Sequence, residues 1–397
     1  MESGALGNPE ATVAASTAPA APPRDSIAVP APSTASPLLS ASEAQWDALA
    51  QRSENIFATQ EWLSTWWRHF GASHESLVAL ERGIDGLPIA ALPLYRSSRG
   101  PLRVLRFIGG GPSDQLGPVC APADEVRAAS SLRRYASSVP DWDLLLAEYL
   151  PGRRNWAHLL GGTETRRESS PMMSLTGLTW DGYLASRSSN FRQQVRRRER
   201  NLARGHDLSF RLADDPDRLH ADLDTLFRLH RARWNGDGSG ALNGSRAAFH
   251  REFAALALER GWLRLWFLEL DGRPAAAWYG FRFAGVESFY QSGRDPALER
   301  ESVGFVLLAH TIREAMNDGC REYRFLRGPE AYKSRFTITD EGLQNVVVAN
   351  TARGRAALAA IPVKRAVQAG VGRVLRSSSE VLRAALKRPR GGARHST

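Results

Sequence analysis

Cysteine and long apolar runs are both scarce in this sequence. The 397 residues include only two cysteines, Cys120 and Cys320, and neither has another Cys or a His at the spacing of a metal site. A disulfide framework and a metal site are therefore not expected. No apolar run approaches the roughly 18 residues that a membrane-spanning helix needs. The first 40 residues also lack the charged and apolar regions of a signal peptide, so the sequence predicts a cytoplasmic protein.

Excess positive charge is missing from most of the chain, although the net charge is +10. Residues 353–397 contain eleven Lys and Arg residues and one Glu, so the remainder is neutral. Valine and leucine recur between these bases at about helical spacing, which is typical of a basic amphipathic helix at an anionic membrane surface. A solvated helix with a disordered basic end is the alternative. Nucleic-acid binding is less favoured, because the tail has no aromatic residue to stack on a base.

The composition divides the chain into four parts. Residues 1–40 are rich in Ala, Pro and Ser, and they contain too few large apolar residues to offset the entropy of ordering, which predicts disorder. Between them and the basic tail, helical patterns alternate with strand-like runs, so we expect an α/β fold. Residues 41–175 and 176–352 share an order of helices, strand hairpin, helix and strand. Two similar domains in tandem are the interpretation we prefer.

The most informative segment is the one that ends the second half. Two strand-like runs, Pro274–Ala284 and Val286–Gly293, form a predicted hairpin. A loop with Gly304 then precedes a helical run that stops at Gly319, and a strand at Glu322–Leu326 follows. Strand, turn, helix and strand in this order can aim the free N–H groups of a helix N-terminus at one point. Such a point suits a pyrophosphate group.

Several motifs in this order resemble one enzyme family. They are YQSGRDP after the hairpin, ESVG before the helix, FLRGPEAYKSRF after it, and FATQEWLSTWWRHFG and LHRARW upstream. Together they resemble GNAT-type acyltransferases, and more closely the CelD/BcsL-like acetyltransferase group, relatives of the FemABX peptidyltransferases. The resemblance implies two tandem GNAT-like domains, the first degenerate, with acetyl-CoA as co-substrate.

The resemblance also implies positions for the reaction. The thioester would lie along the strand Val286–Gly293, which places Tyr290 and Gln291 nearest the chemistry, with Tyr332 and Lys333 as a further phenol and cation. The loop that would hold the pyrophosphate consists of Glu301, Ser302, Val303, Gly304 and Phe305.

Substrate-binding candidates come from three other places. Seven arginines lie between Arg187 and Arg204, and Arg192 and Arg196 share one helical face, an array suited to phosphate or carboxylate. A solvated face is the alternative interpretation. His230 and Trp234 share a face at the end of a helix that the resemblance places against the acceptor. In GGGPSDQLGP, Asp114 corresponds by resemblance to an acid that faces the cleft between the halves.

The sequence therefore predicts transfer of an acyl group, most simply acetyl, to an amine or hydroxyl of a saccharide or cell-envelope precursor. The acceptor is expected to be anionic, and the tail is expected to meet an anionic membrane. One alternative is a FemABX-like aminoacyl transfer from charged tRNA, with the basic segments as its footprint. Another is a membrane-associated scaffold of the same fold without catalysis.

Overall fold

Two β-sheets with a common strand plan organise the chain. The computed structural model describes residues 42–233 and 242–360. The disordered segment predicted at the N-terminus and most of the basic tail lie outside these residues. The α-helices are α1 (Glu43–Ser53), α2 (Gln60–Phe70), α3 (Glu125–Ser138), α4 (Trp156–Leu160), α5 (Trp180–Ala185), α6 (Ser189–Gly205), α7 (Leu219–Arg233), α8 (Ser245–Glu259) and α9 (Val303–Asn317). Residues 352–360 are also helical.

The strands fall into a first and a second sheet. The strands of the first sheet are β1 (Glu75–Arg82), β2 (Pro88–Arg99), β3 (Leu102–Phe107), β4 (Val119–Cys120), β5 (Leu144–Pro151), β6 (Thr163–Glu168) and β13 (Leu343–Ala349). The strands of the second sheet are β7 (Met172–Ser174), β8 (Leu208–Leu212), β9 (Leu263–Leu270), β10 (Arg273–Phe283), β11 (Val286–Arg294) and β12 (Glu322–Arg324). The α/β class predicted from the sequence is confirmed.

Each sheet contains one parallel pair, and a helix makes the crossover in both. The first sheet has the order β1-β2-β3-β5-β13-β6, with β4 against β2, and the second has the order β7-β12-β11-β10-β9-β8. The parallel pairs are β3 with β5, joined through α3, and β11 with β12, joined through α9. The other pairings in these sheets are antiparallel. The repeated plan is what two related domains in tandem would produce.

The strands beyond the parallel pairs are exchanged between the two halves. β13 lies between β5 and β6 in the first sheet, whereas β7 pairs with β12 in the second. The predicted division into residues 41–175 and 176–352 assigned β7 to the first half and β13 to the second. Sheet boundaries and sequence boundaries therefore differ, because each sheet includes one strand from the other half.

One aromatic core joins the halves behind the second sheet. Trp62 of α2 is fully buried, and its ring meets Phe249 and Phe253 of α8 edge-on with centroids 4.9 and 4.6 Å away. Its indole Nε1 donates a hydrogen bond to Ser113 Oγ at 2.8 Å. The Tyr290 hydroxyl of β11 donates to the Pro112 carbonyl at 2.8 Å. The glycine-rich loop of the first half is thus held against the second sheet.

The opposite face of the second sheet is covered by α9 and α6. Val306, Leu307 and Ile312 of α9 are buried against Trp278 and Phe289 of the sheet. These three positions are spread around the helix, so α9 is buried on several sides and not on a single apolar face. Among the described helices, none combines the length and apolar character needed to cross a bilayer.

Candidate active site

The second sheet opens where β11 and β12 part. Their parallel pairing covers only three positions and ends at Ser288 opposite Arg324. Beyond it β11 continues to Arg294, whereas the chain after Arg324 turns aside, with the Phe325 N–H bonded to the Pro171 carbonyl at 2.9 Å. The register between β10 and β11 also shifts here, so that Tyr290 is an extra residue in a β-bulge. An edge of β11 therefore faces an opening into which an extended ligand can fit.

A cleft of about 350 Å³ follows this opening beneath the first turn of α9. Its inner part is apolar and its rim carries arginines. The lining residues are Arg198, Arg233, Ala277, Trp278, Phe289, Ser292, Gly293, Arg294, Glu299, Ser302, Gly304, Phe305, Leu307, Leu308, Tyr332 and Arg335. A narrow apolar slot with a cationic mouth suits a ligand that is apolar at one end and anionic at the other.

The N-terminus of α9 lies at the rim of the cleft. Ser302 precedes the helix with φ 61°, in the left-handed region, and its side chain does not cap the helix. The Phe305 N–H is bonded to the Ser302 carbonyl at 2.9 Å, so the N–H groups of Val303 and Gly304, with the positive end of the helix dipole, are those that an anion would meet. A Cβ on Gly304 would have Arg294 Cδ as its nearest neighbour at 3.6 Å, an ordinary contact.

Two arginines approach the same aromatic ring at the mouth. The guanidinium carbons of Arg198 and Arg335 lie 4.5 and 5.1 Å from the centre of the Phe305 ring. Burial and the nearby charge of Arg335 lower the pKa of Arg198. The guanidinium still remains protonated at neutral pH. An anion between the two arginines would compensate both the burial of Arg198 and the like charge of Arg335.

A second cavity of about 520 Å³ adjoins the cleft and shares Arg198 and Ser302 with it. The further lining residues are Arg197, Asn201, Leu202, Gly205, His206, Arg300 and Glu301. His206 stands between two carboxylates, with Nδ1 2.8 Å from Asp271 Oδ2 and Nε2 3.3 Å from Glu301 Oε2. The cavity thus extends the cationic surface away from the helix N-terminus.

Comparison with known proteins identifies the fold around this cleft. Residues 189–334 match the family model described as an acetyltransferase (GNAT) domain, and this range includes α6, β11 and α9. Residues 189–334 therefore form a GNAT-type acetyltransferase domain. The resemblance seen in the sequence and the assignment as an acyltransferase are confirmed.

Solved structures with the same architecture cover both halves of the chain. FemX has a TM-score of 0.59 at 11% identity, over 78% of this chain and 96% of FemX. A protein of unknown function from Bacteroides thetaiotaomicron has a TM-score of 0.52 at 14% identity, over 78% of this chain and 98% of its own. The C-terminal domain of a putative lysylphosphatidylglycerol synthetase from Agrobacterium fabrum has a TM-score of 0.51 at 11% identity, over 80% of this chain and 95% of its own. At these identities the likeness shows the fold alone. No curated protein sequence matches the chain.

Most of the predicted donor loop of this GNAT domain lines the cleft or its neighbour. Ser302, Gly304 and Phe305 contact the cleft, and Glu301 lines the adjoining cavity. Val303 differs, because its side chain is fully buried in the core beneath α9. Four of the five residues of the predicted loop therefore line the two cavities, and the side chain of the fifth, Val303, points into the core.

Of the four predicted catalytic residues, Tyr332 alone lines the cleft. The guanidinium carbon of Arg233 lies 5.9 Å from the centre of its ring, and burial raises the pKa of its hydroxyl to about 12. Tyr290 lies on the other face of β11, where its hydroxyl also lies 3.3 Å from His250 Nε2 and burial raises its pKa. Gln291 is partly exposed and pairs with Tyr279 outside the cleft.

Lys333 and Asp114 meet in a buried polar cluster at the junction of the halves. The Lys333 ammonium donates to the Arg327 carbonyl at 2.9 Å and lies 2.8 Å from Glu330 Oε2. Asp114 Oδ1 lies 3.4 Å from Arg327 Nη2, and burial raises the pKa of Asp114 to about 6. The Arg327 guanidinium is also stacked 4.2 Å from the Tyr149 ring centre. This cluster lies on the Tyr290 side of the sheet rather than in the cleft.

The predicted substrate arginines of α6 do not line the cleft. Arg196 is exposed, and Arg192 Nη1 donates to the Ala185 carbonyl at 3.3 Å and to the Arg187 carbonyl. His230 is buried, with Nδ1 3.1 Å from the Ser292 carbonyl, so it lies directly behind the cleft wall. Trp234 lies outside the described residues.

The arginines at the mouth were not singled out from the sequence. Gln194, Arg198, Asn201 and Gly205 share one helical face of α6 at intervals of three and four residues, and the last three line the cavities while Gln194 accepts a hydrogen bond from Arg335. Arg192 and Arg196 occupy a different face. The buried Phe191, Val195 and Leu202 could have fixed the orientation of this helix, since they define the side that packs. The part of the chain that the structure describes contains no cluster of His, Cys, Asp and Glu suited to a metal ion.

Proposed function

We propose that this protein transfers an acyl group, acetyl in the simplest case, from acyl-CoA to an amine or hydroxyl of a saccharide or cell-envelope precursor. The observation that carries the proposal is the opening between β11 and β12 that leads to the uncapped N-terminus of α9. Such an opening gives an extended donor a strand edge to lie on, and the helix end gives its phosphates an anion site.

The donor's two ends have different partners in this proposal. The pyrophosphate would meet the first turn of α9 together with Arg198 and Arg335, whose mutual repulsion an anion relieves. The apolar surfaces of Trp278 and Phe289 would contact the arm that carries the thioester. When bound, acyl-CoA would supply the activated acyl group, and backbone N–H groups at the β11 bulge would polarise its carbonyl.

Tyr332 is the side chain best placed to supply a proton in the cleft. Its hydroxyl is protonated at neutral pH, as a tyrosine is even at its ordinary pKa, and burial raises that pKa to about 12. A departing thiolate needs an acid. We expect Tyr332 to protonate that thiolate, with Arg233 fixing the ring. Lys333 contributes indirectly, because its ammonium holds the turn that carries Tyr332.

The acceptor would approach from the opposite face of the sheet. There Tyr290, Asp114 and Arg327 form a largely buried polar cluster at the junction of the halves. The Arg327 side chain is 27% exposed, so an anionic group on the acceptor would have a cation to meet. We propose that the reaction takes place in the cytoplasm, where acyl-CoA and nucleotide-linked precursors are available.

The donor assignment is tested with two variants at Gly304. Gly304→Ala adds a Cβ in ordinary contact with Arg294 and should bind acetyl-CoA as the parent does. Gly304→Asp adds a negative charge at the helix N-terminus and should weaken binding by about tenfold or more. Isothermal titration calorimetry measures both affinities. A folded Gly304→Asp protein that binds acetyl-CoA as tightly as the Ala variant would exclude phosphate from this site.

A second candidate donor is aminoacyl-tRNA. It is favoured by the outer face of α6, where Arg196, Arg197, Arg200 and Arg204 are all exposed. A polyanion bound there would show an affinity that falls steeply with salt, because each phosphate contact releases counterions. Parallel titrations with acetyl-CoA and charged tRNA separate the two donors. Binding of neither would favour the non-catalytic scaffold.

A further inference from the structure

An acidic side chain lies at the edge of the proposed donor site. Glu301 immediately precedes Ser302 and lines the cavity formed with Arg197, Arg198 and Arg300. Its side chain is 39% exposed. A carboxylate in this position opposes the approach of an anionic ligand to the helix N-terminus, so its charge needs compensation if the cavity is to bind phosphate.

His206 provides that compensation from the end of α6. Its Nε2 lies 3.3 Å from Glu301 Oε2, and its Nδ1 lies 2.8 Å from Asp271 Oδ2. The Asp271 carboxylate is itself fixed, because its other oxygen accepts the Asp207 N–H at 2.9 Å. With a carboxylate at each ring nitrogen, the imidazolium is the form that donates to both. The hydrogen bond to Asp271, followed by the charges of Asp271 and Glu301, raises the pKa of His206.

The other charged groups around His206 determine the net charge of the cavity. Arg197 and Arg198 face it from α6, and Arg300 faces it from the loop before α9. On the β9–β10 turn, Arg273 acts on Asp271. The protonated ring therefore neutralises Glu301 and leaves the cavity cationic. Loss of the proton removes that compensation and leaves Glu301 opposed to an incoming phosphate.

We propose that His206 is a positioning residue that holds and neutralises Glu301 at the mouth of the donor site, so that donor affinity falls as rising pH removes the proton from His206. The proposal rests on the proposed function, since it takes the phosphates of the donor as the ligand. Linkage fixes the sign: an anion that binds the protonated site better must weaken as the proton leaves, and its binding must in turn make His206 harder to deprotonate.

The test measures the dissociation constant of CoA from pH 5.5 to 9 in the parent and in four variants. In the parent, affinity should fall by about threefold to fivefold as His206 deprotonates. His206→Gln should show the weak affinity at every pH. Glu301→Gln should bind CoA more tightly than the parent at every pH, with a fall in affinity that remains as His206 deprotonates. The double variant carries no charge at either position and should match the low-pH affinity of the parent at every pH. His220→Gln is the matched control, because His220 is an exposed histidine of α7 beside Asp224 and should reproduce the parent profile.

A ligand-free readout follows the same pair. Proton NMR titration of the His206 ring, assigned by its absence in His206→Gln, should give a lower pKa in Glu301→Gln than in the parent. If CoA binds and His206→Gln retains the parent's pH profile, the role of His206 is overturned while the donor site stands. If the double variant stays as weak as His206→Gln, His206 acts on the fold of the loop and the charge argument fails. If CoA binds none of the proteins at any pH, the proposed function fails and this inference fails with it.

Discussion

At the residue scale, burial shifts the pKa values of two titratable groups near the site. Tyr332 and Asp114 both carry shifted pKa values from burial, but they lie on opposite faces of the second sheet. Tyr332 lines the cleft, whereas Asp114 is only 7% exposed beside Arg327 at the junction. The raised pKa of Asp114 therefore belongs to the junction, where an acceptor would have to approach.

The Asp114 carboxyl makes a prediction about stability and pH. Its pKa in the folded protein is about 6, above the unfolded value of 3.8, so folding favours the protonated form. The parent should lose stability as pH rises from about 4 to above 6, and Asp114→Asn should escape this loss. The free energy of unfolding of Asp114→Asn relative to the parent should then increase by about 3 kcal/mol at most across that window. Urea unfolding at a series of pH values measures the difference.

Asp143 supplies a control of opposite sign. Hydrogen bonds from the Arg103 N–H and the Thr351 hydroxyl lower the pKa of Asp143. Its stabilisation is present above the unfolded pKa and is lost as pH falls through the lower folded value. Asp143→Asn should therefore become less stable relative to the parent as pH rises. Equal slopes for the two variants would show that Asp114 is not specifically protonated by the fold.

At the element scale, the orientation of α6 determines which arginines serve the cleft. The buried stripe of this helix fixes its rotation, so that Arg198 points to Phe305 while Arg196 is exposed. Helix α9 fixes the other wall, because its buried apolar residues place its N-terminus at the end of the opening between β11 and β12. The cleft thus results from two helices packing on one face of a single sheet.

This orientation predicts unequal effects for two neighbouring arginines. Arg198→Gln should weaken acetyl-CoA binding by about tenfold to a hundredfold, because a charge-assisted contact to phosphate is lost. Arg196→Gln removes the same charge from the same helix and should change the affinity by less than about twofold. Calorimetric titration of both variants measures the contrast. A larger effect for Arg196 would move the anion to the outer face of the helix.

The sequence predicted the order of the elements better than the contacts of their side chains. The hairpin, the loop with Gly304 and the helix that ends near Gly319 follow from local patterns of apolar residues and glycine, and the structure contains each of them. The placement of Tyr290 depends on an extra residue in the pairing of β10 with β11, and no local pattern reports such a bulge. Lys333 likewise depends on a turn whose carbonyl groups converge only in three dimensions.

At the scale of the whole molecule, the two halves share both a plan and a core. The strand exchange of β7 and β13 and the Trp62 core link the halves, so the polar cluster around Asp114 and Arg327 has a fixed position behind the cleft. The donor cleft and the junction cluster then lie on opposite faces of one sheet. In the proposed function, the donor and the acceptor would approach the parted strands from these two sides.

We propose that acyl-CoA lies along β11 with its phosphates at the N-terminus of α9. Hydrogen–deuterium exchange with and without acetyl-CoA tests it most directly, because it reports where backbone N–H groups become protected. The account predicts slower exchange in peptides covering 289–294 and 302–308, with 75–107 of the first sheet unchanged. Protection confined to the first sheet, or no protection at saturating acetyl-CoA, would contradict it.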